Sequence, residues 1–426
     1  MEDAALYISK IRIQNYQAID ACEILFQKGV NLLIGDNGMG KTSVLNALTV
    51  ALSVMLSGSK GIGTPQIHQE DIHIHTSRQG SASLAISYQT PIEIECTLEM
   101  VGHHHWKITR NDELGSTRIK VSGTEIKNIF RKMLNDTKST LPLLSLQSAS
   151  RTWQIKRSDF GNAAKEMLGD RRCGYVGCLS QAMDTKSILK WCLDMELESF
   201  QKEGPVKEYE LFKSTVATFM YHMNELPEMP KIYYEKKQKT IVYSENGKDF
   251  PIRYLSAGYQ SLLWMVMDLA YRIAMLNPNA ESMEVLPGIV LIDELDMHLH
   301  PKWQWMIVKA LEKTFPNVQF IVATHSPIVI SSCKTEKLIR IQEAGRIEYL
   351  ESAYGFSVED VLELRQESNA IPERLNQLSK EFDEAMNASN YSAAFEILKL
   401  MKETFGEDNT EVRKAAFELE INGEEA

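Results

Sequence analysis

Two short stretches carry residue types whose spacing could do chemistry. Gly35-Asp36-Asn37-Gly38-Met39-Gly40-Lys41-Thr42 fits the pattern G-x-x-x-x-G-K-[ST], with an apolar run before it and a helical pattern after it. Glycines in such a loop let consecutive backbone N–H groups wrap phosphates, and the start of a helix adds partial positive charge. Lys41 would then set a cation on the β- and γ-phosphates of a nucleotide, and the Thr42 hydroxyl would ligate Mg²⁺. Ser43 joins Gly35, Asn37, Gly38 and Gly40 in the same cradle. The second stretch, Gly288-Ile289-Val290-Leu291-Ile292-Asp293-Glu294, is an apolar run ending in two carboxylates. Asp293 can hold Mg²⁺ through water while Glu294 polarises an attacking water as general base. Alone, such a pair is commonly a solvated turn; behind a phosphate loop the catalytic reading outweighs it.

To bring these groups together, strands from both ends of the body must share one sheet. Residues 10–14 alternate as a half-buried strand, 30–34 form an apolar strand, and a helix is predicted from Lys41 to about Leu56. Runs at 84–88, 92–98, 106–109 and 118–121 read as an antiparallel region, followed by helices at 124–138, 185–201 and 206–225. A hairpin at 231–234 and 240–243 precedes an Asn246-Gly247 turn. From Leu255 the order is helix 258–276, strand 286–292, helix 302–315 and strand 318–323. The expected organisation is an α/β head in two parts, 1–75 and 251–358, an inserted antiparallel-β and helical lobe at 76–250, and a helical tail at 359–426.

Composition narrows the class. The 426 residues are 44% hydrophobic and 24% charged, which excludes disordered and collagen-like chains. No apolar run approaches the roughly 20 residues of a membrane helix, and the acidic N-terminus leads into no signal core, so no membrane partner is expected. Six scattered cysteines, none in a Cys-x-x-Cys pair, point to reduced thiols and a cytoplasmic location. Net charge is −11, yet from Glu359 onward there are 17 acidic and seven basic residues, so the tail carries −10 and the preceding 358 residues −1. A uniformly basic nucleic-acid binder is excluded.

Two more motifs complete the set. Leu255-Ser256-Ala257-Gly258-Tyr259-Gln260 opens a helix, and Ala323-Thr324-His325-Ser326-Pro327 closes a strand. Singly, Ser256 is a helix N-cap and His325 a hydrogen-bonded histidine at a strand end. In order with the first two stretches they resemble ABC-type P-loop ATPases, with Leu255–Gln260 as the signature, Asp293-Glu294 as the second nucleotide motif and His325 as the switch histidine. That resemblance implies that Ser256 and Gly258 bind the γ-phosphate of ATP held by another subunit. It also implies a head-to-tail homodimer or higher oligomer, with Glu294 and His325 as its catalytic groups. Asp293-Glu294-Leu295-Asp296-Met297-His298-Leu299-His300-Pro301-Lys302-Trp303-Gln304 is similar to the corresponding phrase of RecF/SMC/OLD-like ATPases, as is the long separation of Lys41 from Leu255. With Arg172-Cys173-Gly174-Tyr175, Trp191 and the acidic tail, the chain resembles the ATPase subunit of Septu-type and retron-linked anti-phage systems. Those subunits work with a separate HNH nuclease, through which DNA would be reached.

The pattern departs from these families at several points. The first strand ends Asn15-Tyr16-Gln17 where such heads carry Asn-Phe-Arg, and Ala257 and Tyr259 stand where transporters place Gly and Gln. For the glutamine of the Mg²⁺ shell, Gln147 after strand 141–146 is chosen over Gln66. His103-His104-His105 is placed in a hairpin turn beside Gly102, where adjacent side chains diverge, and His298 and His300 shape a loop without further metal ligands nearby. Arg151, Lys156, Arg157, Arg171 and Arg172 read either as a solvated face or as nucleic-acid contacts. In the tail, Leu375, Leu378, Phe382 and Met386, then Tyr391, Ala394, Phe395, Leu398 and Met401, mark two amphipathic helices that either dock a partner or pack as a lid. A RecF-like DNA-repair ATPase, a transporter ATPase and a nucleotide sensor with little hydrolysis are the rival readings.

Overall fold

The computed structural model describes residues 6–59, 61–79, 83–113, 120–149, 170–181, 183–334, 337–366 and 372–423. The chain parts into two compact units, Met1–Phe356 and Ser357–Ala426. The first is built on a six-stranded sheet in the order Ile347–Glu351, Lys337–Ile341, Val30–Ile34, Val318–Ala323, Gly288–Ile292, Leu143–Gln147. All neighbours are parallel except the Ile347–Glu351 edge. The central runs are apolar at nearly every position because both faces are covered. Leu33, Leu144, Leu146, Ile289, Leu291, Ile321 and Ala323 pack into one cluster with the helix Lys41–Leu56. The alternate residues face the other side, where the helix Ala257–Leu276 supplies Asp268 to Gln147.

The helix Lys41–Leu56 is buried nearly all round; from Val44 on it is apolar except at Asn46, Thr49 and Ser53, and the buried hydroxyls of Thr49 and Ser53 bond back to the Leu45 and Val50 carbonyls. Its second cover is a five-stranded antiparallel sheet, ordered Ile19–Leu25, Tyr7–Tyr16, Ile92–Glu99, His103–Arg110, Lys120–Ser122. From that sheet the fully buried Trp106 donates its indole N–H to the Ala51 carbonyl at 3.1 Å. Residues 76–250 contribute to several sheets. Three of their strands complete the antiparallel sheet, one edges the parallel sheet, and the remainder includes the helices Glu125–Asn135, Thr185–Gln201 and Lys207–Asn224 and a three-stranded sheet over 231–251. In that small sheet Asn246 and Gly247 both take left-handed conformations, φ 50° and 74°, as a two-residue hairpin turn requires. The three histidines lie at the start of a strand rather than in the turn: His103 pairs with Glu99 across the ladder at 2.8 Å, and His105 approaches Glu95 at 3.9 Å. Among the described residues, no helix is long and apolar enough to cross a membrane.

In the second unit the short helix Val358–Arg365 is followed by Glu373–Asn387 and Tyr391–Phe405, the two stretches marked as amphipathic, and by a further helix, Thr410–Gly423. Leu375, Leu378, Phe382, Ala394, Leu398 and Met401 form the unit's core, and the last helix closes it with Val412 and Ala415.

One buried ion pair anchors the edge of the parallel sheet. Asp268 and Arg272 lie a turn apart on the helix Ala257–Leu276, 2.9 Å between Nε and Oδ2, with side chains 5% and 8% exposed. Arg272 also donates to the carbonyls of Gly174 and Val176, both at 3.0 Å, and Gln147 donates to Asp268 at 2.8 Å. Removing one partner leaves an uncompensated buried charge, which typically costs about 3–5 kcal/mol. Asp268→Ala should accordingly lower the urea midpoint of the head well below that of Asp268→Asn, which keeps a hydrogen-bond acceptor; equal midpoints in an unfolding titration would contradict the pairing.

Candidate active site

Parallel pairing brings three strand ends level. Ala323 lies opposite Leu33 and Ile292 opposite Val322, so the Gly35 loop, Asp293-Glu294 and Thr324-His325 all leave the sheet on one side. Open α/β sheets gather ligands at such carboxyl ends. Gly35, Gly38 and Gly40 have φ of 136°, 82° and 99°, and a Cβ on Gly35 would lie 2.3 Å from the Ile341 carbonyl oxygen. Only glycine fits there. The turn leaves Asp36, Asn37 and Gly38 exposed at its crest.

Lys41 is 6% exposed, and its Nζ donates to the carbonyls of Gly35 at 2.7 Å and Asp36 at 2.8 Å. Burial lowers its pKa, against the pull of Asp36, Asp293, Glu294 and Asp296. Thr42 donates from Oγ1 to the Asp293 carboxylate, at 3.3 and 3.2 Å from its two oxygens. A hydroxyl and a carboxylate facing each other are hard oxygen donors, and they fit Mg²⁺. Ser43 turns the other way: its buried hydroxyl accepts the Ala18 N–H at 3.4 Å and ties the helix to the turn between the first two strands.

The loop after Ile292 is stitched to its neighbour. Glu294 is exposed with φ 49°, and His298 is also left-handed at 64°. The Leu295 N–H donates to the Ala323 carbonyl at 3.2 Å, and Thr324 donates its hydroxyl to Asp296. Ser326 donates to the Gln304 side chain at 2.6 Å, which in turn donates to the Leu299 carbonyl at 2.9 Å. Asp296, Thr324 and Gln304 were not singled out in the sequence, although all three sit inside quoted motifs. His325 is half-buried; burial and the Lys41 ammonium hold its pKa below the usual value, opposed by Asp296, Glu294 and Asp36. It is a neutral imidazole at pH 7.

Three expected residues stand apart from this cluster. Gln147 is 2% exposed, and its amide donates to Ser145 and Asp268. It pairs in register with Ile292, so strand alternation points it to the face opposite Asp293; only its carbonyl reaches the site side, accepting the Asp293 N–H at 2.9 Å. The expectation that its side chain joins Thr42 and Asp293 is corrected. Ser256 is exposed and caps its own helix, accepting the Tyr259 N–H at 3.4 Å. Gly258 is buried against the loop, where a Cβ would meet the His298 carbonyl oxygen at 2.2 Å. Gln17, in the position of the usual arginine, binds Asp71 at 2.8 Å and accepts from Asn46 at 3.2 Å. Arg172 pairs with Asp170 and Arg171 donates to the Thr137 carbonyl at 3.1 Å, while Arg151, Lys156 and Arg157 lie outside the described residues.

Comparison with known proteins identifies the family and relatives of the chain. The family described as AAA domain, putative AbiEii toxin, Type IV TA system, matches residues 30–332. The chain is 28% identical to the Retron Vc95 probable ATPase of Vibrio cholerae serotype O1 biovar El Tor, over 79% of this chain and 74% of that one. It is 24% identical to the Retron Ec83 probable ATPase of Escherichia coli, over 99% and 88% of the two chains. It is also 24% identical to the Septu protein PtuA of Bacillus thuringiensis, over 92% of each.

The depressed pKa of His325 has a sign that can be measured. The folded state binds this proton less readily than the unfolded chain, so His325 costs stability as pH falls below its unfolded value of about 6.5. Wild-type protein should lose thermal stability between pH 7 and pH 5.5, and His325→Gln should lose less over the same window. Equal losses in the two proteins would remove His325 as the source.

Proposed function

Because the chain belongs to the family described as AAA domain, putative AbiEii toxin, Type IV TA system, we propose that this ATPase closes around ATP as a head-to-tail dimer and uses the cycle to control a partner nuclease in anti-phage defence. The observation that carries the reading is a division of labour within one chain. Lys41, Thr42, Asp293, Glu294 and His325 converge at the strand ends, while Ser256 is presented to solvent at the start of another helix.

Each residue then has a task set by its surroundings. Lys41 exchanges the two loop carbonyls for phosphate oxygens, a small movement for an ammonium already in place. Thr42 and Asp293 would hold Mg²⁺, which would supply positive charge against the phosphates. Glu294, exposed at the loop's turn, takes the proton of the attacking water. Neutral His325 donates a hydrogen bond to the γ-phosphate, and the Ser256 hydroxyl and Gly258 amide of a second copy complete the site. The likeness to retron ATPases and Septu PtuA supports a defence role, and with it a separate HNH nuclease as partner. The acidic second unit is the proposed docking element, since Phe395 and Phe417 are 59% and 64% exposed there.

Light scattering with ATP distinguishes the parts. Glu294→Gln should bind ATP, accumulate as a dimer and lose at least about 10²-fold in turnover, the usual worth of a general base. Lys41→Ala should bind no ATP and stay at its nucleotide-free size. Wild-type turnover in the first variant would remove Glu294 from the mechanism; ATP affinity within twofold of wild type in the second would end the phosphate-loop assignment.

Deleting residues 357–426 should leave hydrolysis near normal and abolish co-purification of the nuclease encoded alongside. A deleted head that is insoluble or inactive would make the second unit part of the catalytic fold instead.

A further inference from the structure

The departure at Tyr259 has a structural counterpart. Tyr259 stands where transporters place Gln, and its ring meets Trp303 edge to face, with centroids 4.6 Å apart. Trp303 belongs to the Asp293–Gln304 phrase, so this contact joins the signature turn to the loop that carries Glu294. Beside it the backbones touch directly: no Cβ could be accommodated at Gly258 against the His298 carbonyl. The phenolic oxygen accepts the Asn224 amide at 2.8 Å, and burial raises the Tyr259 pKa, so the ring stays neutral and is held from a third direction by the end of the helix Lys207–Asn224. The Tyr259 N–H is the group that Ser256 caps. A continuous path of contacts thus runs from the loop of Glu294, through His298 and Trp303, to Tyr259 and the Ser256 hydroxyl.

We infer that Tyr259 and Trp303 are positioning residues that make the signature turn and the Asp293–Gln304 loop one rigid piece, coupling the two ATP sites of the dimer. This rests on the dimer reading proposed above. In each chain the loop serves that chain's own nucleotide while Ser256 serves the other's. A change at Glu294 therefore moves the hydroxyl offered across the interface, and occupancy of one site alters completion of the second. Edge-to-face aromatic pairs resist such sliding because the ring edge must stay over the partner's face. Coupling between sites is read as cooperativity.

The test uses the full chain and three variants. Hydrolysis against ATP concentration should give a Hill coefficient above 1 for wild type. Tyr259→Leu and Trp303→Leu should each bring it to about 1. Tyr259→Phe, which keeps the ring and loses only the hydroxyl, should retain most of the wild-type cooperativity. ATP affinity measured below the dimerising concentration should stay within about twofold in all of them, since no residue of the phosphate cradle is altered. Far-ultraviolet circular dichroism identifies any variant that fails to fold, and the other leucine variant then decides. Cooperativity unchanged in a folded leucine variant would overturn the coupling while leaving the dimer intact. So would a wild-type Hill coefficient of 1 in an ATP-induced dimer. A wild-type protein that never dimerises with ATP would take both readings together.

Discussion

The register of three parallel strands is the constraint on which the site depends. Val30–Ile34, Val318–Ala323 and Gly288–Ile292 are neighbours, and each ends within one residue of the same level. Because the strands are buried on both faces, a slip of one residue would turn a whole set of apolar side chains to the wrong side. Core packing therefore fixes the heights of Gly35, Asp293 and Thr324, and no separate interaction is needed to align them. The local bonds act on that alignment: Thr42 to Asp293, Leu295 to Ala323 and Thr324 to Asp296 each join one strand-end loop to the next.

Charge in the site follows from the same crowding. One ammonium, Lys41, feels four carboxylates, Asp36, Asp293, Glu294 and Asp296, and His325 beside them is held neutral. A triphosphate brought alone into this field would meet more negative than positive charge. A divalent cation beside the phosphates would offset that imbalance, and the Thr42 hydroxyl and Asp293 carboxylate are oxygen donors that fit one. The crowding also explains why a buried lysine is tolerated: the two loop carbonyls satisfy its protons and the carboxylates support its charge.

Much of this was legible in the sequence because the signals were local. The phosphate loop has a strand before it and a helix after it, and the helix Lys41–Leu56 and strand Val318–Ala323 have their predicted bounds. What failed depended on pairing. Gln147 follows an apolar strand as expected, yet which face it meets is set by its register with Ile292, and nothing in the chain near it specifies that partner. The stretch 76–250 separates two motifs, and the pairing of its strands with Tyr7–Tyr16 and Gly288–Ile292, partners far away in sequence, is not written near them. The helix 302–315 is two pieces, Pro301–Gln304 and Ile307–Thr314, with Gln304 turned to Leu299 and Ser326. Gly258 looked like a phosphate contact alone, and only the structure reveals the His298 carbonyl against it.

The second unit follows a different economy. Its eight buried core residues belong to three short helices, and a unit of that size buries a small share of its surface. Phe395, Phe417, Ile421 and Leu400 remain 59%, 64%, 54% and 41% exposed on the same helices. Covering apolar area contributes roughly 25 cal/mol per Å², so burial of the two phenylalanine rings would add a stabilising term smaller than that of the unit's own core. The acidity of this stretch, ten net negative charges from Glu359 onward, means that like charge disfavours pairing with another copy of itself. This unit has a hydrophobic core of its own, distinct from that of the parallel sheet.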